Sequence, residues 1–252
     1  MGALYKPGFT IIETMLFLAL TGLLVAGVLA GTGTSINVQR YRDSVSTLKS
    51  LIAGQYSEVT NTRNIERGTD LSCANDATVS ETGAVLPRGQ AECILIGRYM
   101  TIDDSAITTW SVVGRAQSTT AGTNDIADLQ NYRLALMEST KEASSLEWGA
   151  RIAWPRPASG PVTQSGVRQF SMLVLRSPKS GLSYTFTADN TTTALGSMIV
   201  AGNSIPGQAQ QRLCVDSNGF FTGGMGVVIG AFASGANAIE TRTNDMGDAL
   251  AC

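Results

Sequence analysis

With 252 residues, the chain is long enough for one substantial domain with an appendage or for two small domains. Its formal net charge of −2 argues against an overall attraction to nucleic acid or anionic lipid, and its apolar content of 43% argues against intrinsic disorder. It contains no histidine, which excludes the usual serine and cysteine triads and most zinc sites. We therefore expect neither catalysis nor a cofactor.

The first eight residues form a short leader that carries one positive charge, at Lys6, and ends in Pro7 and Gly8. The stretch from Phe9 to Gly31 then supplies the roughly 20 mostly apolar residues that a helix needs to cross a bilayer. Its single charged residue is Glu13. The sequence therefore predicts one membrane helix close to the N-terminus.

Glu13 needs a partner, because an acidic side chain inside a membrane helix costs about 2.5–3.5 kcal/mol on insertion scales. The next charge along the chain is Arg40, far beyond a helical turn. Cleavage between Gly8 and Phe9 would create a new amine at Phe9. If neighbouring helices are staggered, Glu13 of one subunit meets the Phe9 ammonium of the next.

The segment Gly8-Phe9-Thr10-Ile11-Ile12-Glu13, followed by an apolar run, resembles the prepilin signature of type IV pilins and type II secretion pseudopilins. The resemblance implies that a membrane-embedded aspartyl peptidase cleaves after Gly8 and methylates the amine of Phe9. It also implies that Glu13 is the carboxylate used in assembly. The resemblance extends from Lys6 to about Gly31, so it indicates the class of protein and not the particular member.

Two simpler interpretations stay open. A secretory signal peptidase could cut after the small-residue pattern Val28-Leu29-Ala30. The helix could also be a plain membrane anchor without a role in assembly. Neither explains an acid five residues after the leader, and the apolar run is longer than the usual signal core of about 7–15 residues.

The helix is predicted to continue to about Thr60, with residues 32–62 as an amphipathic half. Gly31 and Gly33 are expected to permit local unwinding, and Gly22, Ala26 and Ala30 have the spacing of small residues at helix contacts. Apolar residues recur every three or four positions and should form one buried stripe: Tyr41, Val45, Leu48, Ile52, Gln55 or Tyr56, and Val59.

Residues 63–252 are predicted to form a β-rich head. Five stretches have strand-like composition, namely 91–97, 107–113, 170–175, 184–187 and 227–232. The stretch Asp125 to Glu147 is expected to form a short helix, because apolar residues there have helical spacing: Ile126, Leu129, Tyr132 or Arg133, Leu136 and Met137. Trp148 to Pro161 is expected to be a strand end and loop. The expected fold class is α+β, a pilin-like fold with a long N-terminal spine helix packed on an antiparallel β-sheet head.

The four cysteines form no C-x-x-C pair, and behind a membrane segment they indicate disulfides in an oxidising compartment. The resemblance implies that a disulfide fixes the C-terminal region, which favours Cys214 with Cys252. Cys73 and Cys93 would then pair as neighbours in the sequence. Four cysteines allow three connectivities, and free buried thiols are the alternative.

Three further groups of residues are candidates for binding. Asp216-Ser217-Asn218-Gly219 is typical of a turn, although with Asp245 and Asp248 it could form a calcium loop. Asp103 and Asp104 are expected in a solvated turn. A basic stretch could bind DNA on one surface: Arg151, Arg156, Arg168, Arg176 and Lys179.

Together these patterns predict a minor pilin or pseudopilin, a subunit of a type IV pilus or a related secretion or competence filament. Expected partners are other pilin subunits, the prepilin peptidase, an inner-membrane assembly platform and membrane lipid. The head would lie outside the cell membrane, and the assembled subunit in an extracellular pilus. The alternatives are a pilus-displayed binding module for DNA or a host surface, and a simple membrane-anchored extracytoplasmic protein.

Overall fold

The computed structural model describes residues 10–61, 72–73, 79–80, 93–118, 122–157, 165–199, 209–219, 224–243 and 250–252. Within them the chain forms two compact units, one ending at Arg40 and one beginning at Tyr41. The first unit is helical, and the second combines helices with antiparallel sheets. The protein therefore belongs to the α+β class, as the sequence predicts.

The first helix, α1, runs from Ile11 to Thr60 without a break. The expected unwinding at Gly31 and Gly33 is wrong, because both residues are helical. Each glycine costs about 1 kcal/mol relative to alanine, which is too little to open a helix whose hydrogen bonds continue on both sides. The hydroxyl groups of Thr32 and Thr34 also donate to helix carbonyls one turn back, at 3.0 Å each.

The second half of α1 buries the stripe that its sequence predicts, because residues three and four apart lie on one face of a helix. Ser44 adds a polar member to the stripe, and its hydroxyl donates to the carbonyl of Glu147 at 2.9 Å. The buried residues are Tyr41, Ser44, Val45, Leu48, Ile52, Gln55, Tyr56 and Val59.

The remaining helices and strands that the structure describes are short compared with α1. The two further helices are α2 (Asp125–Gln130) and α3 (Leu195–Met198), with 3-10 turns at Glu147–Gly149 and Ala236–Ala238. The strands are β1 (Ser72–Cys73), β2 (Val79–Ser80), β3 (Cys93–Asp103), β4 (Ala106–Ala116), β5 (Tyr132–Ser145), β6 (Arg151–Ala153), β7 (Arg156–Pro157), β8 (Gln169–Arg176), β9 (Ser183–Ala188), β10 (Gln211–Asp216), β11 (Met225–Ile229), β12 (Ile239–Thr243) and β13 (Leu250–Ala251).

Two antiparallel sheets dominate the second unit. The larger has five strands in the order β5-β4-β3-β8-β9, and the smaller has four in the order β12-β11-β10-β6. The pairs β1–β2 and β7–β13 form separate two-stranded sheets. Each of the five predicted stretches contributes a strand, although the last one ends at Ile229, before Phe232.

Two hydrophobic clusters hold the second unit together. The first packs the α1 stripe against apolar residues of both large sheets, among them Met100, Phe170, Leu213 and Val227. The second combines residues of the five-stranded sheet, such as Tyr99 and Phe186, with residues of α2 and α3. Full burial of one such side chain contributes about 1.5–3 kcal/mol, so removal of this surface from water accounts for the docking of α1.

Polar contacts fix the position of α1 within this unit. Arg98 on β3 is only 6% exposed, and its guanidinium forms an ion pair with Glu58 of α1 at 2.8 Å. It also donates to Gln55 of α1 at 3.2 Å and to Ser111 of β4 at 2.9 Å. Because the buried Arg98 guanidinium must keep these partners, it fixes where α1 lies along the sheet.

The helix expected within Asp125 to Glu147 is wrong for most of its length. Only Asp125–Gln130 is helical, and Tyr132–Ser145 is a strand of 14 residues that pairs with β4. Asn124 caps the N-terminus of α2, and its side-chain oxygen accepts the amide of Ala127 at 2.9 Å. Within Trp148 to Pro161, the described part contains the short strands β6 and β7 and irregular segments, in agreement with a strand end and loop.

Candidate functional site

The candidate site is the N-terminal part of α1, whose apolar side chains are uncovered on every side. Large apolar residues between Ile11 and Leu29 are 56–78% exposed. Among the described residues, α1 is the one helix long and apolar enough to cross a membrane. A helix that is apolar around its whole circumference needs lipid or other apolar helices as its surroundings.

Glu13 lies at the start of this segment, where it forms a reciprocal pair of bonds with Thr10. The amide of Thr10 donates to Glu13 Oε2 at 3.0 Å, and the amide of Glu13 donates to Thr10 Oγ1 at 3.3 Å. The Thr10 hydroxyl also donates to Glu13 Oε2 at 3.0 Å. This is the capping box of a helix N-terminus, which satisfies amides that have no partner inside the helix.

The capping role of Glu13 is a function that the sequence analysis missed. Its signal was present, because Thr-x-x-Glu before an apolar run is the sequence pattern of a capping box. The same two residues also belong to the prepilin-like signature. Both bonds from Thr10 end on Oε2, and within the described part of the chain no bond is seen to Oε1.

The predicted processing residues, Gly8 and Phe9, lie outside the described residues. The structure therefore bears on Glu13 alone among the three residues that the resemblance singles out.

Thr14 and Thr21, one and three turns into the helix, bond to carbonyls of the same helix at 2.8 Å and 2.9 Å. Apolar surroundings favour this arrangement, because a hydroxyl in lipid must find its acceptor within the protein.

Cys214 and Cys252 form a disulfide with a Cα–Cα distance of 5.2 Å, which is the pairing implied by the resemblance. Cys93 is also disulfide-bonded. Cys73 lies in β1, but its side chain is outside the described part of the structure. The expected bond between Cys73 and Cys93 thus stays a prediction.

The Asp216 to Gly219 segment forms a turn, as predicted, with Asn218 and Gly219 at φ values of 53° and 91°. The Asp216 carboxylate accepts the Asn218 amide at 2.9 Å and pairs with the Arg151 guanidinium at 3.4 Å. Arg151 also donates to the Asn218 side chain at 2.9 Å. A guanidinium therefore holds the oxygens that a calcium ion would need. The other proposed ligands, Asp245 and Asp248, lie outside the described residues.

Asp103 is the last residue of β3 and Asp104 lies in the tight turn to β4, and both are exposed, in agreement with a solvated turn. Asp104 has a φ of 60°, which short polar residues tolerate well. The Asp103 carboxylate accepts the side-chain amide of Gln169 at 3.1 Å. The Asp103 carboxylate therefore contacts β8, and Asp104 supplies the backbone conformation of the turn.

The basic residues of the middle stretch have separate structural partners. Arg168, 2% exposed, pairs with Asp189 and stacks on the ring of Trp154 with 4.4 Å from its guanidinium carbon to the ring centroid. Lys179 pairs with Asp128 at 2.6 Å, and Arg151 with Asp216. Three of the five cations are thus already neutralised by three different acids, and this weakens the case for a DNA-binding patch.

Comparison with protein-family models, curated proteins and solved structures found no match to this chain.

Proposed function

We propose that the protein is a filament subunit of the type IV pilin and pseudopilin class, a minor pilin or pseudopilin. It is cleaved after Gly8, methylated at Phe9 and assembled through the apolar part of α1 into a pilus or a related secretion or competence filament. The prepilin peptidase and an inner-membrane platform act on it, and its head lies outside the membrane.

The observation that carries this proposal is an exposed apolar helix with one carboxylate at its beginning. No other charged residue occurs between Glu13 and Arg40. The capping box leaves Oε1 of Glu13 unused by Thr10, so the same carboxylate can close its own helix and accept a neighbour's ammonium. These two uses explain why an acidic residue is kept in the apolar segment despite its cost in a membrane.

The direct test is mass spectrometry of the mature N-terminus after purification from the native host. The expected product begins at Phe9 and carries one extra methyl group on its amine. A product that retains Met1 or begins at Gly31 would contradict the proposal. It would support a plain anchor in the first case and a conventional signal peptide in the second.

The capping box gives the plain-anchor alternative a specific basis, because it explains Glu13 without any partner chain. Glu13→Gln separates the two functions, since glutamine also completes a capping box but carries no charge. We expect this variant to insert into the membrane normally and to enter filaments at least tenfold less than wild type. Wild-type incorporation of Glu13→Gln would favour the anchor.

Thr10→Ala is the matched control, because it removes the two capping bonds of the Thr10 hydroxyl and keeps the charge. We expect its incorporation to stay within about threefold of wild type, since loss of one cap costs only about 0.5–2 kcal/mol. Immunoblots of sheared filaments and of membrane fractions measure both variants. If Thr10→Ala abolished assembly and Glu13→Gln did not, Glu13 would be a helix cap alone.

A further inference from the structure

The second unit carries an open groove beside α1, on a face of the helix that differs from the buried stripe. Its volume is about 490 Å³, which lies within the range of small-ligand sites. The α1 residues that line it recur at intervals of three and four, as expected for one face of a helix. We call it the α1 groove, and its lining residues are Asp43, Ser46, Thr47, Ser50, Leu51 and Glu147.

Three of the lining residues carry hydroxyl groups that are not used by the helix itself. Thr14 and Thr32, in the first half of α1, donate to helix carbonyls one turn back at 2.8 Å and 3.0 Å. Within the described residues no such bond is seen for Ser46, Thr47 or Ser50. Serine and threonine are also less favourable than alanine inside a helix. The stability of α1 therefore does not explain why three of them share this face.

The lining of the α1 groove accepts more hydrogen bonds than it donates. The carboxylates of Asp43 and Glu147 only accept, whereas the three hydroxyl groups both donate and accept. None of the six lining residues is a lysine or an arginine. A ligand that fits must therefore offer several hydrogen-bond donors and carry no negative charge.

We propose that the α1 groove binds a neutral saccharide, with a hexose unit seated along α1. Ser46 and Ser50 are four residues apart, so their Cβ atoms are about 5–6 Å apart, comparable with the width of a hexose ring. Their hydroxyl groups exchange hydrogen bonds with hydroxyl groups of the ring, which also donate and accept. The Glu147 carboxylate accepts from two neighbouring ring hydroxyls, and Leu51 contacts the C–H groups of the ring.

A cationic ligand is the main alternative, because two carboxylates line the groove. Glu147 is exposed, however, and an ion pair between exposed groups contributes little. A cation would also leave the three hydroxyl groups without an acceptor, since an ammonium or guanidinium group only donates. A neutral saccharide uses the whole lining, and an anionic one is repelled by both carboxylates.

The test is a titration of the full chain in micelles of a zwitterionic detergent, followed by saturation-transfer NMR. Alkyl glycoside detergents are avoided, because their headgroups would compete for the groove. The neutral probes differ in linkage and ring stereochemistry: maltotriose, cellotriose, mannotriose and lactose. We expect at least one of them to bind saturably, with an affinity that changes little when the salt concentration is raised.

Two variants assign this binding to the α1 groove. Ser46→Ala/Ser50→Ala removes two hydroxyl groups and keeps the helix, because alanine is the best helix former. Its affinity should fall at least fivefold, the effect of losing two ordinary hydrogen bonds. Glu147→Gln removes the charge at nearly constant shape and should weaken binding by about fivefold, because hydrogen bonds to a charged acceptor are stronger.

Ser57→Ala is the matched control, since Ser57 is an exposed serine of α1 outside the groove. Its affinity should stay within about twofold of wild type. All the substituted side chains are exposed, so the variants should fold as the wild type does, which their circular dichroism spectra check.

Three results would overturn the proposal. The first is the absence of saturable binding for every neutral probe. The second is equal affinity in the wild type and both groove variants, which would place the binding elsewhere. The third is binding of the cationic trisaccharide of glucosamine alone, with loss of affinity at higher salt, which would make the groove a site for cations.

Discussion

Tyr56 is a buried residue of α1 whose ionisation is coupled to folding. Its hydroxyl bonds to the hydroxyl of Thr185 at 2.8 Å, and Thr185 donates to the carbonyl of Ala233 at 2.6 Å. Thr185 has one hydroxyl proton, so Tyr56 must donate to it. Burial raises the pKa of Tyr56 to about 12, because the phenolate would lose its hydration in this position.

This raised pKa predicts loss of stability at alkaline pH. The hydroxyl of Tyr56 ionises near pH 10 in the unfolded chain and near pH 12 in the folded one. Between these values the unfolded state binds fewer protons, so the free energy of unfolding falls as the pH rises. A difference of about two pKa units corresponds to roughly 2–3 kcal/mol. Urea unfolding measured from pH 8 to pH 12 in detergent tests the expected decrease.

Tyr56→Phe is the matched variant for this measurement. Burial also raises the pKa of Tyr41 and Tyr99, so the variant should retain a dependence on pH but a shallower one. If the free energy of unfolding depended on pH in the same way in wild type and variant, Tyr56 would not contribute to the loss of stability.

The sequence predicted which residues of α1 are buried but not what they bind. The stripe follows from helical spacing alone, which is a local property. The contacts of Arg98 join α1 to β3 and β4, and such partners are set by the packing of segments distant in sequence. Arg168 was expected on a surface, because neither its burial nor its pairing with Asp189 can be predicted from neighbouring residues in the sequence.

At Gly97, strand β3 leaves no room for a side chain beside its neighbour β8. A Cβ at this position would lie 2.2 Å from the backbone carbonyl oxygen of Val174. The pairing of β3 with β4 is also irregular between Leu95 and Gly97. Since the obstacle is backbone and not a flexible side chain, the sheet cannot accept a side chain at Gly97 without moving its strands.

We expect Gly97→Ala to destabilise the protein by about 3 kcal/mol or more, because overpacking against backbone leaves little room for relaxation. Thermal unfolding of the full chain in detergent measures the effect. Gly54→Ala is the control, since a Cβ there meets nothing within 4 Å on helix α1. It should stabilise the protein by about 0.5–1 kcal/mol. A small effect of Gly97→Ala would mean that β3 and β8 are less closely paired.

The error over β5 shows how a strand can imitate a helix in its sequence. β4 residues Thr109 and Ser111 pair with Glu142 and Met137, so residues 138–141 of β5 form a bulge opposite Trp110. Tyr132, Leu136 and Met137, whose spacing suggested a helix, pair regularly with β4 and lie before the bulge. The stabilising bonds of the bulge, from the Ser111 amide to the Thr140 hydroxyl and from that hydroxyl to the Met137 carbonyl, include a strand distant in sequence.

For the whole molecule, the Cys214–Cys252 disulfide links residues 38 apart in the chain. Chain entropy alone assigns such a crosslink about 4 kcal/mol of stabilisation. Crosslinks often deliver less than this value, because the unfolded chain retains some structure without the bond. We expect about 1–3 kcal/mol for Cys214→Ser/Cys252→Ser.

Urea unfolding under oxidising conditions measures this difference. Cys214→Ala/Cys252→Ala should behave in the same way, because the expected loss comes from the crosslink and not from the serine hydroxyl. A cost well above about 4 kcal/mol would indicate that the bond supports the sheet itself.

The cluster that buries the α1 stripe also contains Ile239 of β12, about 180 residues after the end of α1. During synthesis at roughly 5–20 residues per second, that partner emerges some 10–40 s later than the helix. The apolar N-terminal half of α1 is therefore available to a membrane insertion machinery before the later strands can pack on the stripe from Tyr41 to Val59. Nascent chains of this protein should need a chaperone during that interval, whatever their final destination.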